Sequence, residues 1–589
     1  MSSMYAVALT RFSRSRGKEE SDMDQDAIDS GRRKAFSDFR GACFSISAAL
    51  LAGMTVTWAL SATGFLLGVP VGHSQSICGA VTAVIVVYRL SNDLRQRVVR
   101  CLILILLVLL ALAIAGMAVD DGYDGWLYHQ PGVVGLANGW NPVVEPLFDV
   151  WWSAHGRTFG SPPDAPYVDG LWATAYPKAQ WILASHALTW GLPLDCGKYS
   201  GILLIFVAGG VTFRALRLGG LPASWSVALS AVAALNPVSV LQATTYYVDG
   251  ALGSCLTVLV FSLLAFNRTR CRLDLSLAAA AALIACNLKF TGVVYAAVNI
   301  LPVLAWWLWK KWLEVRHLPI IGAAVSVLLL CSVNPYLTNI RIGGSPIQPL
   351  NQKDVMSSQM RPEFLAKNRL EKLLISLTFT NYLDPYGEIA ESELRKITNP
   401  FQLRSIGELE NFATSYDLRI GGFGPLFGVV LGLALLVIVL CARDATTDVG
   451  IALVIFGTVA AIGVNPEMWW ARYVPQMWLL PVLASTCAIK AGSGRRIGVA
   501  IACVMAVTSL IVVAGRSESA ALTTMRYHDN LLKLGEGPVL VNVSTNEGFF
   551  LPALAYRLRE RGASLQISQI RCNDPIQLIV IQACLRAGK

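Results

Sequence analysis

At 589 residues, 54% hydrophobic and 15% charged, the chain carries more apolar surface than a soluble fold can hide, since ordinary soluble domains are about a quarter charged. A net charge of +10 would raise nucleic acid as a partner, but Lys and Arg cluster in short loops between apolar runs, and no basic groove with interleaved aromatics appears. Nucleic acid is therefore excluded, and the bilayer is the expected solvent.

Residues 1–40 are polar, with no apolar core and no small-residue cleavage site, and read as a cytoplasmic tail. Within 41–119, spans are predicted at 43–69, 73–90 and 99–119. Residues 120–197 form a first large loop rich in Trp, Pro, Gly and Tyr, whose stretch YPKAQWILASHALTW suits a helix lying in the membrane interface. Residues 198–336 hold spans at 198–217, 221–241, 248–266, 273–288, 290–309 and 318–336. The loop 337–421 mixes charges with helical patterns (EFLAKNRLEKLLISL, SELRKI, FQLRSIGELENFA) and is expected to be partly helical, covering the outer face like a lid. Residues 422–514 add spans at 422–441, 448–464, 473–489 and 495–514. The tail 515–589 alternates a strand (GPVLVNVS), a helix (EGFFLPALAYRLRERG), a strand (ASLQISQI) and a mixed run (DPIQLIVIQACLRAG), the pattern of a small α/β domain.

The fold class is thus an all-α polytopic membrane protein of about thirteen transmembrane helices with an α/β C-terminal domain. The basic loops RLSNDLRQRVVR, FRALR, NRTRCR, KKWLEVRH and KAGSGRR fall on one side, which puts the N-terminus in the cytoplasm and the C-terminus outside it, in a bacterial inner membrane. Most of the 13 cysteines lie in apolar runs and read as small buried hydrophobes. Cys572 and Cys584 lie in the C-terminal tail, where the compartment permits a disulfide that sequence alone does not establish.

Ionisable groups at membrane depth are costly, so those that persist at span ends are candidates for function. They gather on the outer side: Asp120, Asp121, Asp124 and His129 in AVDDGYDGWLYHQP, Asp249 in TTYYVDG, Lys289 in NLKFTG, Arg341 in NPYLTNIR, and Glu467 and Arg472 in NPEMWWARY. One acidic cluster with dispersed cations suits transfer from a phosphate-linked donor. A carboxylate takes the proton of the attacking acceptor, and Arg and Lys hold the departing phosphate where its charge develops. Plainer readings stand beside these: Asp120 and Asp121 as the wet end of a helix, His129 as a hydrogen-bonded structural ring, Lys289 as a snorkelling lysine and Arg472 as an interfacial anchor. Asp124, beside Tyr128 and His129, is the strongest candidate.

The run D-x-x-x-Y in YDGWLYHQP, directly after a span, resembles the first-loop motif of the GT-C glycosyltransferases, the branch containing protein O-mannosyltransferases and the lipid A aminoarabinose transferase. YVDG, NLKFTG, NPYLTN, GGFGPLF and WWARYVPQ resemble segments of bacterial membrane proteins grouped with these enzymes. Gly125 stands where many relatives have Glu, and the motif follows the third apolar run where the family has it after the first. The resemblance implies sugar transfer, with inversion, from a polyprenyl-phosphate-linked donor to a glycan, lipid or protein acceptor on the extracytoplasmic face. It implies Asp124 as base and leaves a divalent metal as an open cofactor. Asp249 would orient acceptor or sugar, Lys289, Arg341 and Arg472 would bind the donor phosphate, and Tyr128, His129, Asp121 and Glu467 would touch substrate. A transporter or flippase for a lipid-linked or anionic substrate is the alternative, and would need its ionisable groups near the bilayer midplane.

Overall fold

The computed structural model describes residues 41–147, 168–350, 362–378, 409, 412–417, 422–442, 448–492, 494–534, 538–542, 550–568 and 576–585. The chain is mostly helical with little sheet. Among the described residues six helices are long and apolar enough to cross a membrane: Gly41–Leu66, Leu94–Gly116, Leu194–Leu218, Asp249–Thr269, Phe290–Trp309 and Arg495–Lys533. Val315–Cys331 and Val333–Gly343 pass the same test together, bent by 46°. By length and composition these are the helices of a membrane protein.

The other expected spans also contain helices, but shorter ones, among them His73–Arg89, Ala223–Ala234 and Val449–Val464. Local chemistry cuts two of them. The run 221–241 breaks at Asn236, whose side chain accepts from the Val238 amide and starts a separate helix Pro237–Leu241. The run 473–489 opens with a tight turn at Pro475–Trp478 before its helix begins at Leu479.

Asp249–Thr269 forms the centre of the bundle, 94% buried over its most apolar stretch, and packs against Arg272–Leu288 and Tyr199–Leu218. Leu94–Gly116 is peripheral and turns Leu102, Ile105, Leu106 and Leu109 outward, an apolar flank suited to lipid. Arg495–Lys533 runs for 39 residues. At about 1.5 Å per residue it is roughly twice as long as a ~30 Å hydrocarbon core. The final helix therefore does not stop at 514, as the apolar pattern suggests, but continues as a stalk toward the C-terminal strands.

Two further expectations are corrected or refined. The YPKAQWILASHALTW stretch is not an interfacial helix: Ala179–Thr189 is buried from Ala179 to Leu188, without a wet face. It is held between Gln130–Ala137 and the turn Leu194–Lys198. In the C-terminal region, β1 (Pro538–Asn542) pairs in parallel with β2 (Ser564–Ser568), and helix Leu551–Arg559 lies between them in sequence. The mixed run is a hairpin of β3 (Ile576–Leu578) and β4 (Ile581–Leu585), and the sheet order is β2-β1-β4-β3. Helix Arg369–Thr378 realises part of the second loop's helical pattern, and Arg369 caps the carbonyls of Gly463 and Asn465 at 2.6 and 2.5 Å. The tail 1–40, SELRKI, most of FQLRSIGELENFA and Cys572 lie outside the described residues.

Candidate active site

After Leu94–Gly116 the chain makes a tight turn over 120–124 and enters a π-helical turn, Gly125–His129, before helix Gln130–Ala137. Such single π turns are rare and recur at functional sites. Asp120 fills the inside of this turn. Its carboxylate accepts from the Gly122 amide at 2.9 Å, Gln130 Nε2 at 2.9 Å and the Tyr246 amide at 3.3 Å. A Cβ on Gly125 would lie 2.0 Å from Asp120 Oδ2, and one on Gly122 would meet the Tyr247 ring at 2.6 Å. Glycine at both positions thus lets the turn close. Burial, against the pull of Lys198, pushes the Asp120 carboxyl up to about 6. Asp120 is a structural acid wholly out of water, not the wet end of a helix.

The turn aims Asp121 and Asp124 at different partners. Asp121 makes a two-pronged pair with Arg516 of the last helix, at 2.8 and 2.7 Å, while Arg516 Nε donates to Thr244. Asp124 Oδ2 meets Arg472 Nη1 at 3.1 Å. Arg472 lies 3.9 Å from Asp249 and 3.0 Å from Asp417 and stacks beside the rings of Tyr247, Trp470 and Tyr473. Lys289 pairs with Asp249 Oδ1 and sits 4.1 Å from the Tyr473 ring centre. Asp124, Asp249, Lys289 and Arg472 therefore converge, with three carboxylates facing two cations once Asp417 is counted.

Exposure separates the carboxylates. Asp249 is 3% exposed and occupied by Lys289, Gln242 and Arg472, so it holds the cations in place. Asp124 is 23% exposed, and its Oδ1 takes no hydrogen bond from a described residue. Arg472 sits where the three carboxylates converge, which leaves them unfit as a ligand set for a divalent ion. Among the described residues no group of three or more His, Cys, Asp or Glu side chains could hold a metal.

Tyr128 and His129 are buried beside this cluster in an aromatic layer with Trp172, Tyr176 and Trp181. Trp181 Nε1 donates to His129 Nδ1 at 2.7 Å, which places the proton of the neutral ring on Nε2. Burial first, and then the charges of Lys289 and Arg472, hold this ring well below the ordinary histidine range. Two expected site residues are elsewhere. Arg341 is exposed and its hydrogen bond goes to the Val144 carbonyl at 3.2 Å, apart from the ion cluster. Glu467 accepts from Trp469 Nε1 and does not join the cluster either. Family models, curated proteins and solved structures give no match to this chain.

Several residues of this region escape the span-end rule. Asp417 comes from the second loop and also accepts from Trp470 Nε1 at 3.0 Å. Lys178 is 3% exposed and donates to the Thr174 and Tyr176 carbonyls, at 2.7 and 2.8 Å, with the Trp140 and Trp181 rings 5.4 and 5.5 Å away. It has no carboxylate partner among the described residues, and it borders a small cavity lined by Trp58, Phe65, Asn287, Cys331 and Asn334. Burial pushes its ammonium well below the ordinary lysine range.

Arg472 carries the largest electrostatic load in the site. Arg472→Ala removes the ion-pair partner of Asp124 and Asp417 and leaves Asp249 with Lys289, and is expected to cost about 3–5 kcal/mol of stability, the usual penalty for stranding buried charge. Arg472→Lys should recover part of it, because the charge stays while the planar fork is lost. Unfolding curves in detergent measure both, and an alanine variant as stable as wild type would reduce Arg472 to a surface anchor.

Proposed function

We propose that the chain is a membrane glycosyltransferase of the GT-C kind, with about thirteen crossings, a cytoplasmic N-terminus and an extracytoplasmic α/β segment. It moves a sugar from a polyprenyl-phosphate-linked donor to a glycan, lipid or protein acceptor outside a bacterial plasma membrane. The observation that carries this reading is the meeting of Asp124, Asp249, Lys289 and Arg472, drawn from four separate stretches of chain, in one buried cluster where Asp124 keeps a carboxylate oxygen open.

In this reading Asp124 accepts the proton of the acceptor hydroxyl or amine as its oxygen or nitrogen bonds to the anomeric carbon. The bond from that carbon to the phosphate oxygen breaks, the electron pair leaves with the phosphate, and the configuration inverts. Phosphate is a good leaving group, so a second carboxylic acid is unnecessary. Lys289 and Arg472 are engaged by carboxylates and serve to fix Asp124. Among the described residues Lys178 is a buried amine without a carboxylate partner, and it is the group assigned here to the donor phosphate, beside the aromatic layer.

The test is direct. Purified protein in liposomes is given radiolabelled polyprenyl-phosphate hexoses and pentoses with an envelope extract as acceptor source. Release of free polyprenyl phosphate with label moving to the acceptor supports transfer. Donor that crosses the bilayer uncleaved would replace this reading with the transporter.

A further inference from the structure

The C-terminal helix reaches into the first loop. Arg557, on Leu551–Arg559, is 4% exposed and distant in sequence from everything it binds. Its guanidinium grips Asp195 with both Nη groups, at 2.5 and 2.9 Å, and Gln130 Oε1 from Nε and Nη2, each at 3.2 Å. It also stacks 4.9 Å from the Trp126 ring centre.

Each of these partners holds one side of the acidic turn. Asp195 Oδ1 accepts from the Asp120 amide at 3.2 Å and from Lys198 at 2.8 Å. Gln130 Nε2 donates to the Asp120 carboxylate at 2.9 Å. Asp121 and Asp124 lie between these anchor points, Asp120 and Gln130, and one arginine from the far end of the chain ties the two anchors together. Nearby contacts run the same way: Glu560 accepts from the Leu194 amide at 2.7 Å, and Thr524 from the Val119 amide at 2.9 Å.

We propose that Arg557 is a positioning residue, and that the C-terminal helix is an integral part of the site because it sets where Asp124 stands against Arg472. The chemistry requires Arg: a planar fork reaches a carboxylate and an amide oxygen together, whereas a lysine is a point charge that satisfies one of them. The effect on transfer rests on the function proposed above; the effect on the turn does not.

Hydrogen exchange on the full-length protein in nanodiscs tests this with Arg557→Lys, which keeps the charge, and Arg557→Gln, which keeps the polarity. Asn530→Ala serves as control, because it removes a bond from the stalk helix to the Gln577 carbonyl and leaves Arg557 untouched. The expected result is at least tenfold faster amide exchange across 120–130 in both Arg557 variants and none in the control. Sugar transfer should show kcat down at least tenfold with the donor KM within twofold. Wild-type exchange at 120–130 in both variants, or equal loosening by Asn530→Ala, would overturn the proposal. So would a loosened turn with kcat unchanged. If the chain transfers no sugar at all, the exchange arm alone still decides whether Arg557 holds the turn.

Discussion

Asp124→Asn is expected to lower sugar transfer by about two to four orders of magnitude while leaving the protein folded, the loss typical of removing a general base. Asparagine has the shape of aspartate and can still accept from Arg472, but it cannot take a proton. The charge balance predicts tolerance as well: among the described residues of the cluster, three carboxylates against two cations become two against two. Asp249→Asn should behave in the opposite sense, since it removes the direct partner of Lys289 and acts first on stability. Transfer rates paired with unfolding curves separate the two roles. An Asp124→Asn protein that transfers at near wild-type rate would remove this residue from the chemistry and leave the cluster as a structural ion network.

What was legible in the sequence follows from the solvent. In a bilayer an apolar run must be a helix, so helix positions could be read directly. Their lengths could not, because Asn236 and Pro475 interrupt runs whose hydropathy continues. The same economy exposed Asp124, Asp249, Lys289 and Arg472, as charges that persist where apolar runs end. Applied to the last run, that rule also marks Arg516, the partner of Asp121, just past residue 514. The remaining partners lie beyond it. Arg557 sits in a charge-rich helix whose pattern reads as a solvated face, and Asp195 lies just before the predicted span at 198–217 as an ordinary loop charge, with Lys198 at that span's first residue. Arg341 shows the converse: it follows a span end, yet it is exposed and bonded to the Val144 carbonyl. Periodicity reports which face of an element is apolar, not which distant segment will cover its polar one.

Lys178 was hidden by this same limit, inside a stretch that looked interfacial, and it carries the second large expectation. A buried ammonium with two carbonyl acceptors, and no carboxylate among the described residues, is held well below the ordinary lysine range, and a bound phosphate would raise it again. Wherever the pH lies between those two values, binding takes up a proton, so affinity for polyprenyl phosphate should fall as pH rises, by up to about tenfold per pH unit. Lys178→Met keeps the bulk and removes the charge. It should weaken binding about ten- to a hundredfold at neutral pH, the worth of a charge-assisted hydrogen bond, and flatten the pH dependence. Lys289→Met is the informative comparison, because its ammonium is already paired with Asp249 and its loss should leave that slope in place. Equilibrium binding of radiolabelled polyprenyl phosphate between pH 6 and 9 reads both quantities. If Lys178→Met keeps the wild-type affinity and slope, the phosphate binds elsewhere, and the cavity beside Trp58 and Asn334 is packing space only.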